Sequence, residues 1–245
     1  MRKGYRTVSE LAVELNVSDM TVRRYLDELE KRELITRTHG GAFVGEEMID
    51  VDYRVRETVR RTEKELIGKL ASSLIESGES IYIDSGSTAV YVALAINDNT
   101  RITVVTNSMV VAETLESKSN IETILLGGRL HAATHSVIGP LTQDAVTQFR
   151  FSKAFLGAAG VDVSQGLSQG NLDEVPIKKM VAQNSKQRIV VVDSSKFRKQ
   201  VLIMFLPFSE VDILITDAEI PDSDRKVLEE TGVRVLIAGM DSNVN

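Results

Sequence analysis

The chain has 245 residues, a formal net charge of −6 and 42% hydrophobic residues, which suits one small domain and one of ordinary size. It contains no cysteine, so disulfides, thiolate zinc sites and cysteine nucleophiles are excluded. No stretch approaches the roughly 20 apolar residues that span a bilayer, and no apolar signal region follows the first residues. We therefore expect a cytoplasmic protein that does not enter a membrane.

The charge is unevenly distributed along the chain. Residues 1–44 hold 8 Lys and Arg against 7 Asp and Glu, whereas the remaining residues hold 21 against 28. The acidity therefore belongs to the larger, C-terminal part. Any affinity of the N-terminal part for nucleic acid must come from where its charges lie and from pairing two or more copies.

The N-terminal segment has the pattern of a helix-turn-helix. Thr7 and Glu10 form a capping box that begins a first helix, and Ser18 follows a short turn and is placed to cap a second. The second helix carries four apolar side chains at the spacing of one buried face: Val22, Tyr25, Leu26 and Leu29. A Gly-Gly turn between alternating residues at 34–44 predicts a hairpin, or wing.

The N-terminal end of the second helix would enter the major groove of DNA. Contacts with base edges or phosphates are predicted for this end of the helix and for the wing: Ser18, Asp19, Met20, Thr21, Arg23, Arg24, Arg37 and His39. The alternative is an ordinary helical hairpin whose arginines form a solvated face. The capping box, the turn and the wing, in that order, favour DNA binding.

From about residue 62 onward, strands and helices alternate. A first helix is expected to end at Gly78 as its C-cap. The strands that follow, such as 80–84, 102–106 and 188–193, are short, β-branched and apolar on both faces. This pattern is typical of a mostly parallel sheet covered by helices, with ligands at the carboxyl ends of the strands. The fold class is therefore α/β.

Small polar residues collect at those strand ends. The segment Asp84–Thr88 opens a helix, and its glycine, hydroxyls and helix N-terminus suit a phosphate; the same residues also suit simple helix capping. The segment Asp193–Lys196 places a lysine beside hydroxyls, where it is either a phosphate ligand or a solvated side chain. Thr106 with Asn107, Gly127 with Gly128, and residues 157–160 each follow an apolar strand as turn signals.

These motifs resemble a known family. The run from Thr7 to Ala42 is similar to the DNA-binding domain of DeoR-type bacterial transcriptional regulators, in particular repressors of lactose phosphotransferase operons. The loops DSGST, VVTN, LLGG, GAAG and VVDSSK stand in the order of that family's effector domain, which is similar in fold to ribose 5-phosphate isomerase. The resemblance implies a winged helix-turn-helix domain at 1–45, a linker at 46–61 and a sugar-phosphate-sensing effector domain at 62–245. Such regulators begin with a further helix, for which residues 1–6 leave no room, so this helix is expected to be missing.

The resemblance also implies a function. The chain would be a sugar-phosphate-responsive repressor of a carbohydrate uptake or catabolism operon, acting on double-stranded operator DNA as a homo-oligomer, either a dimer or a tetramer. A phosphorylated sugar is the implied effector, and no cofactor, metal or catalytic residue is expected. The implied ligand-binding residues are Asp84, Ser85, Gly86, Ser87, Thr88, Thr106, Asn107, Gly128, Glu174, Lys178 and Lys196.

Two other functions stay open at this point. A sugar-phosphate isomerase would use Asp162 or Glu174 as its base, but the acidic residues that the isomerases carry are absent from 157–160. A sugar-phosphate-binding module that has lost DNA binding is the second. His131 and His135 are four residues apart, but they lack the helix and the carboxylate partner that a zinc site uses.

Overall fold

The structure, a computed structural model, describes residues 4–31, 35–38, 40–44 and 53–240. The chain divides between Val59 and Arg60 into two compact units. Within the described residues, no helix is both long and apolar enough to cross a membrane.

The N-terminal unit combines helices with a small antiparallel sheet in the strand order β1-β3-β2. Its elements are β1 (Gly4–Thr7), α1 (Val8–Leu15), α2 (Asp19–Lys31), β2 (Thr36–Thr38), β3 (Gly41–Val44) and α3 (Tyr53–Thr58). The hairpin of β2 and β3 is the predicted wing, whereas β1, which pairs with β3, was not predicted. A Cβ at Gly41 would lie 2.1 Å from the carbonyl oxygen of Arg6, so the close approach of β1 requires glycine there.

The predicted capping signals are confirmed. The Thr7 hydroxyl accepts a hydrogen bond from the Glu10 backbone N–H at 3.1 Å, and the Glu10 carboxylate accepts from the Thr7 N–H at 2.8 Å. The Ser18 hydroxyl accepts from the Thr21 N–H at 3.2 Å and so caps α2. The described part of this unit contains no helix before α1.

The core of the N-terminal unit is small and lies between α1, α2 and the sheet. Its buried side chains are Val8, Leu11, Ala12, Val22, Leu26, Ile35 and Ala42. Leu29 packs against this core from a half-buried position. The prediction for Tyr25 was wrong: its side chain is 44% exposed, with the Arg24 guanidinium 5.6 Å from the centre of its ring.

The larger unit contains a parallel sheet with helices between its strands. Its helices are α4 (Arg61–Ser72), α5 (Ser87–Ala95), α6 (Met109–Leu115), α7 (Pro140–Thr147), α8 (Glu174–Gln183) and α9 (Asp222–Glu230). Its strands are β4 (Ser80–Ile83), β5 (Ile102–Thr106), β6 (Ile121–Leu125), β7 (Arg129–His131), β8 (Ser136–Ile138), β9 (Phe151–Leu156), β10 (Gly160–Asp162), β11 (Gly166–Gln169), β12 (Ser185–Val191), β13 (Ile203–Leu206), β14 (Ile213–Thr216) and β15 (Arg234–Ile237).

Seven strands form the main sheet in the order β15-β14-β12-β9-β4-β5-β6. Each neighbouring pair is parallel, as predicted, so the carboxyl ends of β4, β9, β12 and β14 meet at one edge. Ile81, Ile83, Val190 and Leu214 are fully buried in these strands. Burial of each such side chain contributes about 1.5–3 kcal/mol to the driving force for folding, which holds the edge in place.

Three features of the larger unit differ from the sequence-based expectation. The helix α4 ends at Ser72, with Ser73 at its C-cap, and Gly78 instead lies in a turn at φ +91°. The strand β9 ends at Leu156, before the turn expected at 157–160, but β10 then forms a separate antiparallel sheet with β11 and β13, which was not expected. The hairpin of β7 and β8 is also additional.

Candidate functional site

The predicted DNA-contacting side chains of the second helix lie together at the N-terminal end of α2. Ser18, Asp19 and Met20 are exposed, Thr21 is half-buried, and Arg23 and Arg24 are exposed. Two cations, one acid and two small hydroxyls thus share a surface that can meet phosphates and base edges. Arg37 lies in β2, in the predicted wing. His39 lies outside the described residues.

The segment Asp84–Thr88 connects β4 to α5 at the carboxyl edge of the main sheet. Its glycine, Gly86, is the extended N-cap residue of α5, and no side chain caps the helix. A Cβ at Gly86 would lie 3.7 Å from the Cα of Gly157, so the loop after β9 lies directly beside this one. Ser85, Ser87 and Thr88 are buried to more than nine-tenths. A helix N-terminus flanked by buried hydroxyls favours an anion.

Lys64 is a further member of this site that sequence reasoning missed. It lies on α4 and is only 3% exposed, and its Nζ donates a hydrogen bond to the Ser87 hydroxyl at 3.1 Å. A buried ammonium group needs a compensating anion, and the Asp193 carboxylate interacts electrostatically with Lys64. The available signal was its position: Lys64 lies three residues before Ile67 and seven before Ala71, on the buried stripe of the helix.

Lys196 approaches the same region from the turn after β12. It is half-buried in a 3-10 turn, Ser194–Lys196, which Asp193 caps by accepting from the Ser195 N–H at 3.1 Å. Burial would raise the pKa of Asp193, but the positive charges of Lys196, Lys64 and Arg60 and the hydrogen bond from Ser195 together hold that pKa below its ordinary value. One carboxylate is therefore shared electrostatically by two lysines, and both lysines are placed to receive a competing anion.

Arg60, which immediately precedes α4, joins the carboxylates of this edge. Its guanidinium lies 2.8 Å from Glu219, 3.1 Å from Glu63 and 3.3 Å from Asp217, and 3.8 Å from Asp193. Arg60 adopts a left-handed backbone conformation at φ +52°, which non-glycine residues seldom do. The ion pairs fix the first turn of α4, and with it Lys64.

A second polar cluster adjoins the segment Asp84–Thr88. The Lys178 ammonium group donates to the Asp84 carboxylate and, at 2.9 Å, to the Gly157 carbonyl. Asp84 also accepts from the Gly157 N–H at 2.8 Å. Glu174, one helical turn before Lys178, accepts from the Gln169 side-chain amide. All three ionisable groups are at least 96% buried, so any ligand reaching them meets strong, unscreened charges.

Thr106, Asn107 and Gly128 have contacts that hold the site together. The Thr106 hydroxyl donates to the Ile83 carbonyl at 2.7 Å and accepts from the Ser108 N–H at 3.0 Å. The Asn107 amide accepts from the Tyr82 hydroxyl at 2.7 Å and donates to the Val137 carbonyl at 3.0 Å. These bonds occupy much of the capacity that a ligand would use.

Gly128 adopts φ +151°, and a Cβ there would lie 2.1 Å from the Thr142 hydroxyl oxygen. Its backbone therefore passes too close to α7 for any other residue. The structure thus brings the segment Asp84–Thr88 together with Lys64 on one side and with Lys178 on the other, and Lys196 and Glu174 lie in the same two clusters.

The fold and the site together define a class of protein. A compact unit with a helix-turn-helix and a wing belongs to DNA-binding proteins. The larger unit places a helix N-terminus, buried hydroxyls and a buried lysine at the carboxyl edge of a parallel sheet, where ligands bind in such folds. The chain therefore belongs to the helix-turn-helix regulators that carry a ligand-sensing domain.

Comparison with known proteins identifies the family. Residues 1–47 match the model of the DeoR-like helix-turn-helix domain, and residues 59–218 match that of the DeoR C terminal sensor domain. The chain belongs to the DeoR family. It is a transcriptional regulator and not an enzyme, which confirms the interpretation drawn from the sequence.

Relatives of known name extend over almost the whole chain. The glycerol-3-phosphate regulon repressor of Escherichia coli strain K12 is 34% identical over 234 residues, which cover 96% of this chain and 93% of the relative. A putative aga operon transcriptional repressor of Escherichia coli O157:H7 is 28% identical, over 97% of this chain and 90% of its own length. Among solved structures, ribose 5-phosphate isomerase A from Methanocaldococcus jannaschii is similar over 55% of this chain and 53% of that chain, at 20% identity and a TM-score of 0.40.

Proposed function

We propose that this protein represses an operon for carbohydrate uptake or catabolism and that a phosphorylated sugar releases it from operator DNA. Residues 1–45 bind the DNA, residues 62–245 bind the sugar phosphate, and 46–61 link the two. Because such a repressor acts on chromosomal DNA, we propose that the protein is cytoplasmic. The names of two relatives support this proposal, because both are repressors, one of a glycerol-3-phosphate regulon and one of an aga operon.

One observation supports phosphate binding above the others. The buried ammonium group of Lys64 meets the uncapped N-terminus of α5 at the Ser87 hydroxyl. A phosphate seated there receives backbone N–H groups, a hydroxyl and the charge of one or two lysines, which is the usual protein environment for a phosphate. Lys196 is the second cation, because it shares Asp193 with Lys64.

The sugar part of the ligand then extends toward the neighbouring cluster of Asp84, Glu174 and Lys178. Their buried oxygen and nitrogen atoms suit the hydroxyl groups of a sugar. The exposed arginines of α2 serve the DNA, and several copies of the helix are needed because the N-terminal residues carry little net charge. We therefore propose that the protein acts as a dimer or a tetramer.

Two variants and a DNA-binding assay test the proposal. The operator is recovered by selection from genomic DNA, and its binding is followed by fluorescence anisotropy with glycerol 3-phosphate, fructose 1-phosphate or tagatose 6-phosphate added. Arg24→Ala is expected to abolish DNA binding and leave sugar-phosphate affinity unchanged. Arg225→Ala, which removes an exposed arginine of α9, is the matched control and should change neither.

Lys196→Ala is expected to bind DNA normally and to lose its response to the sugar phosphate. A Lys196→Ala variant that released DNA without any ligand would contradict the assigned roles. Turnover of any of these sugar phosphates by the wild-type protein would contradict the regulatory function itself.

A further inference from the structure

The buried charges at the two ends of the ligand site are of opposite kind. The phosphate end has Lys64 beside the α5 N-terminus, and Asp193 is the acid on which both Lys64 and Lys196 act. The other end has two buried carboxylates, Asp84 and Glu174, and a single buried ammonium group, Lys178. The acids therefore outnumber the cation at the end away from the phosphate.

Lys178 is committed to one of these carboxylates. Its ammonium group donates to Asp84 and to the Gly157 carbonyl and lies 5.4 Å from the centre of the Phe205 ring. Glu174 accepts through one oxygen, Oε2, from the amide of Gln169. Its other oxygen, Oε1, is completely buried and accepts a hydrogen bond from none of the described residues.

Tyr82 is a buried neutral residue on which the charge of Glu174 acts, but it does not supply a hydrogen bond to that oxygen. Its hydroxyl donates to Asn107 at 2.7 Å, so its only proton is already used. Burial raises the pKa of this phenol well above its ordinary value, and the negative charges of Asp84 and Glu174 raise it further. Both carboxylates therefore act on the same buried phenol, and the cation that pairs with one of them is Lys178.

A buried carboxylate oxygen without a donor costs free energy, and a ligand that supplies the donor recovers it. A ligand that brings a second negative charge to this place instead meets like-charge repulsion at low dielectric. Chemistry at the sugar end thus discriminates between ligands that share the same phosphate group.

We propose that the effector is a monophosphate whose remaining part is a polyol, sugar or amino sugar. A hydroxyl or ammonium group of this part donates a hydrogen bond to Glu174. A ligand that carries a second anionic group is excluded from the site. This inference rests on the proposed function, because it concerns the far end of the same phosphate site. Glu174 is the specificity-determining residue, and Lys178 is the positioning residue that holds Asp84.

Matched ligand pairs test the inference on the wild-type protein by isothermal titration calorimetry. Glycerol 3-phosphate is compared with 3-phosphoglycerate, in which a carboxylate replaces the terminal hydroxymethyl group. Fructose 6-phosphate is compared with fructose 1,6-bisphosphate, and inorganic phosphate reports the phosphate end alone. In each pair the member with one anionic group should bind at least about tenfold more tightly.

The variant Glu174→Gln keeps the shape of the side chain and removes its charge. It should reduce the discrimination within each pair to about threefold or less. Glu230→Gln, at an exposed position at the end of α9, is the control and should keep the wild-type preference.

The outcomes separate this inference from the function on which it rests. Equal or tighter binding of 3-phosphoglycerate and fructose 1,6-bisphosphate by the wild-type protein would overturn the inference and leave phosphate sensing intact. Full wild-type discrimination in a folded Glu174→Gln variant would overturn the role of Glu174. Binding of none of the five compounds would contradict the proposed function and this inference together.

Discussion

Replacement of Lys64 by glutamine probes the phosphate end of the site most directly. Lys64 is 3% exposed and donates to Ser87 at 3.1 Å. Glutamine can still donate to that hydroxyl, so the change removes mainly the positive charge. Its effect should therefore fall on anion binding and not on the packing of α4 against α5.

The size of the effect follows from the kind of contact that is lost. A hydrogen bond to a charged group contributes about 1.5–3 kcal/mol, which corresponds to roughly a 10- to 150-fold loss of affinity for a phosphate. The exposed Lys69 lies on the same helix, beyond the buried turn that carries Lys64. Lys69→Gln should change the affinity by less than about twofold, because an exposed charge is screened by solvent.

Isothermal titration calorimetry with inorganic phosphate and with glycerol 3-phosphate measures both variants. Circular dichroism and urea unfolding establish that each variant is folded. Because the lost contact is to the phosphate group, the two ligands should lose affinity by a similar factor. A folded Lys64→Gln protein that binds both ligands as tightly as the wild type would refute the assignment of the phosphate site.

Three other outcomes are expected from the same edge of the sheet. Gly128→Ala should lower the free energy of unfolding in urea by about 1–3 kcal/mol, because its Cβ would lie 2.1 Å from the Thr142 hydroxyl; unchanged stability would show that α7 shifts freely. Arg60→Gln should lower the free energy of unfolding by about 1–3 kcal/mol, since it leaves buried carboxylates with one cation fewer. The control Arg61→Gln, which breaks an exposed ion pair with Glu65, should lower it by about 0.5 kcal/mol or less. The folded pKa of Asp193 lies below its ordinary value of 3.8, so its ion pairs stabilise the fold above about pH 4, and this contribution is lost as the pH falls through the folded pKa. In Asp193→Asn, a plot of unfolding free energy against pH should therefore be flatter below pH 4. An unchanged slope would contradict the cited ion pairs.

The architecture could be predicted because its signals are local. Short β-branched strands such as β4 and β12 are buried on both faces, and periodicity shows this directly. The capping box of Thr7 and Glu10 is equally local. The strands β10, β11 and β13 are three or four residues long, and their pairing depends on partners distant in sequence, which no local pattern contains.

The site was predictable at strand ends and less so on helices. The loop at Asp84–Thr88 follows its strand directly, whereas Lys64 belongs to a helix of another layer and contacts Ser87 only after the two helices pack. A lysine on an apolar stripe is easily taken for a solvated side chain. Conversely, Tyr25 has the spacing of a core residue but is 44% exposed, since periodicity shows which face a residue shares and not whether that face is covered.

The most direct test of regulation is the affinity for operator DNA measured with and without a bound effector. The effector is the sugar phosphate that most raises the melting temperature of the protein, and the DNA is the fragment recovered by genomic selection. Saturation with the effector should raise the Kd for DNA by about 5- to 150-fold, and bound DNA should raise the Kd for the effector by the same factor. An operator affinity that stays the same while calorimetry shows the effector bound would contradict the account.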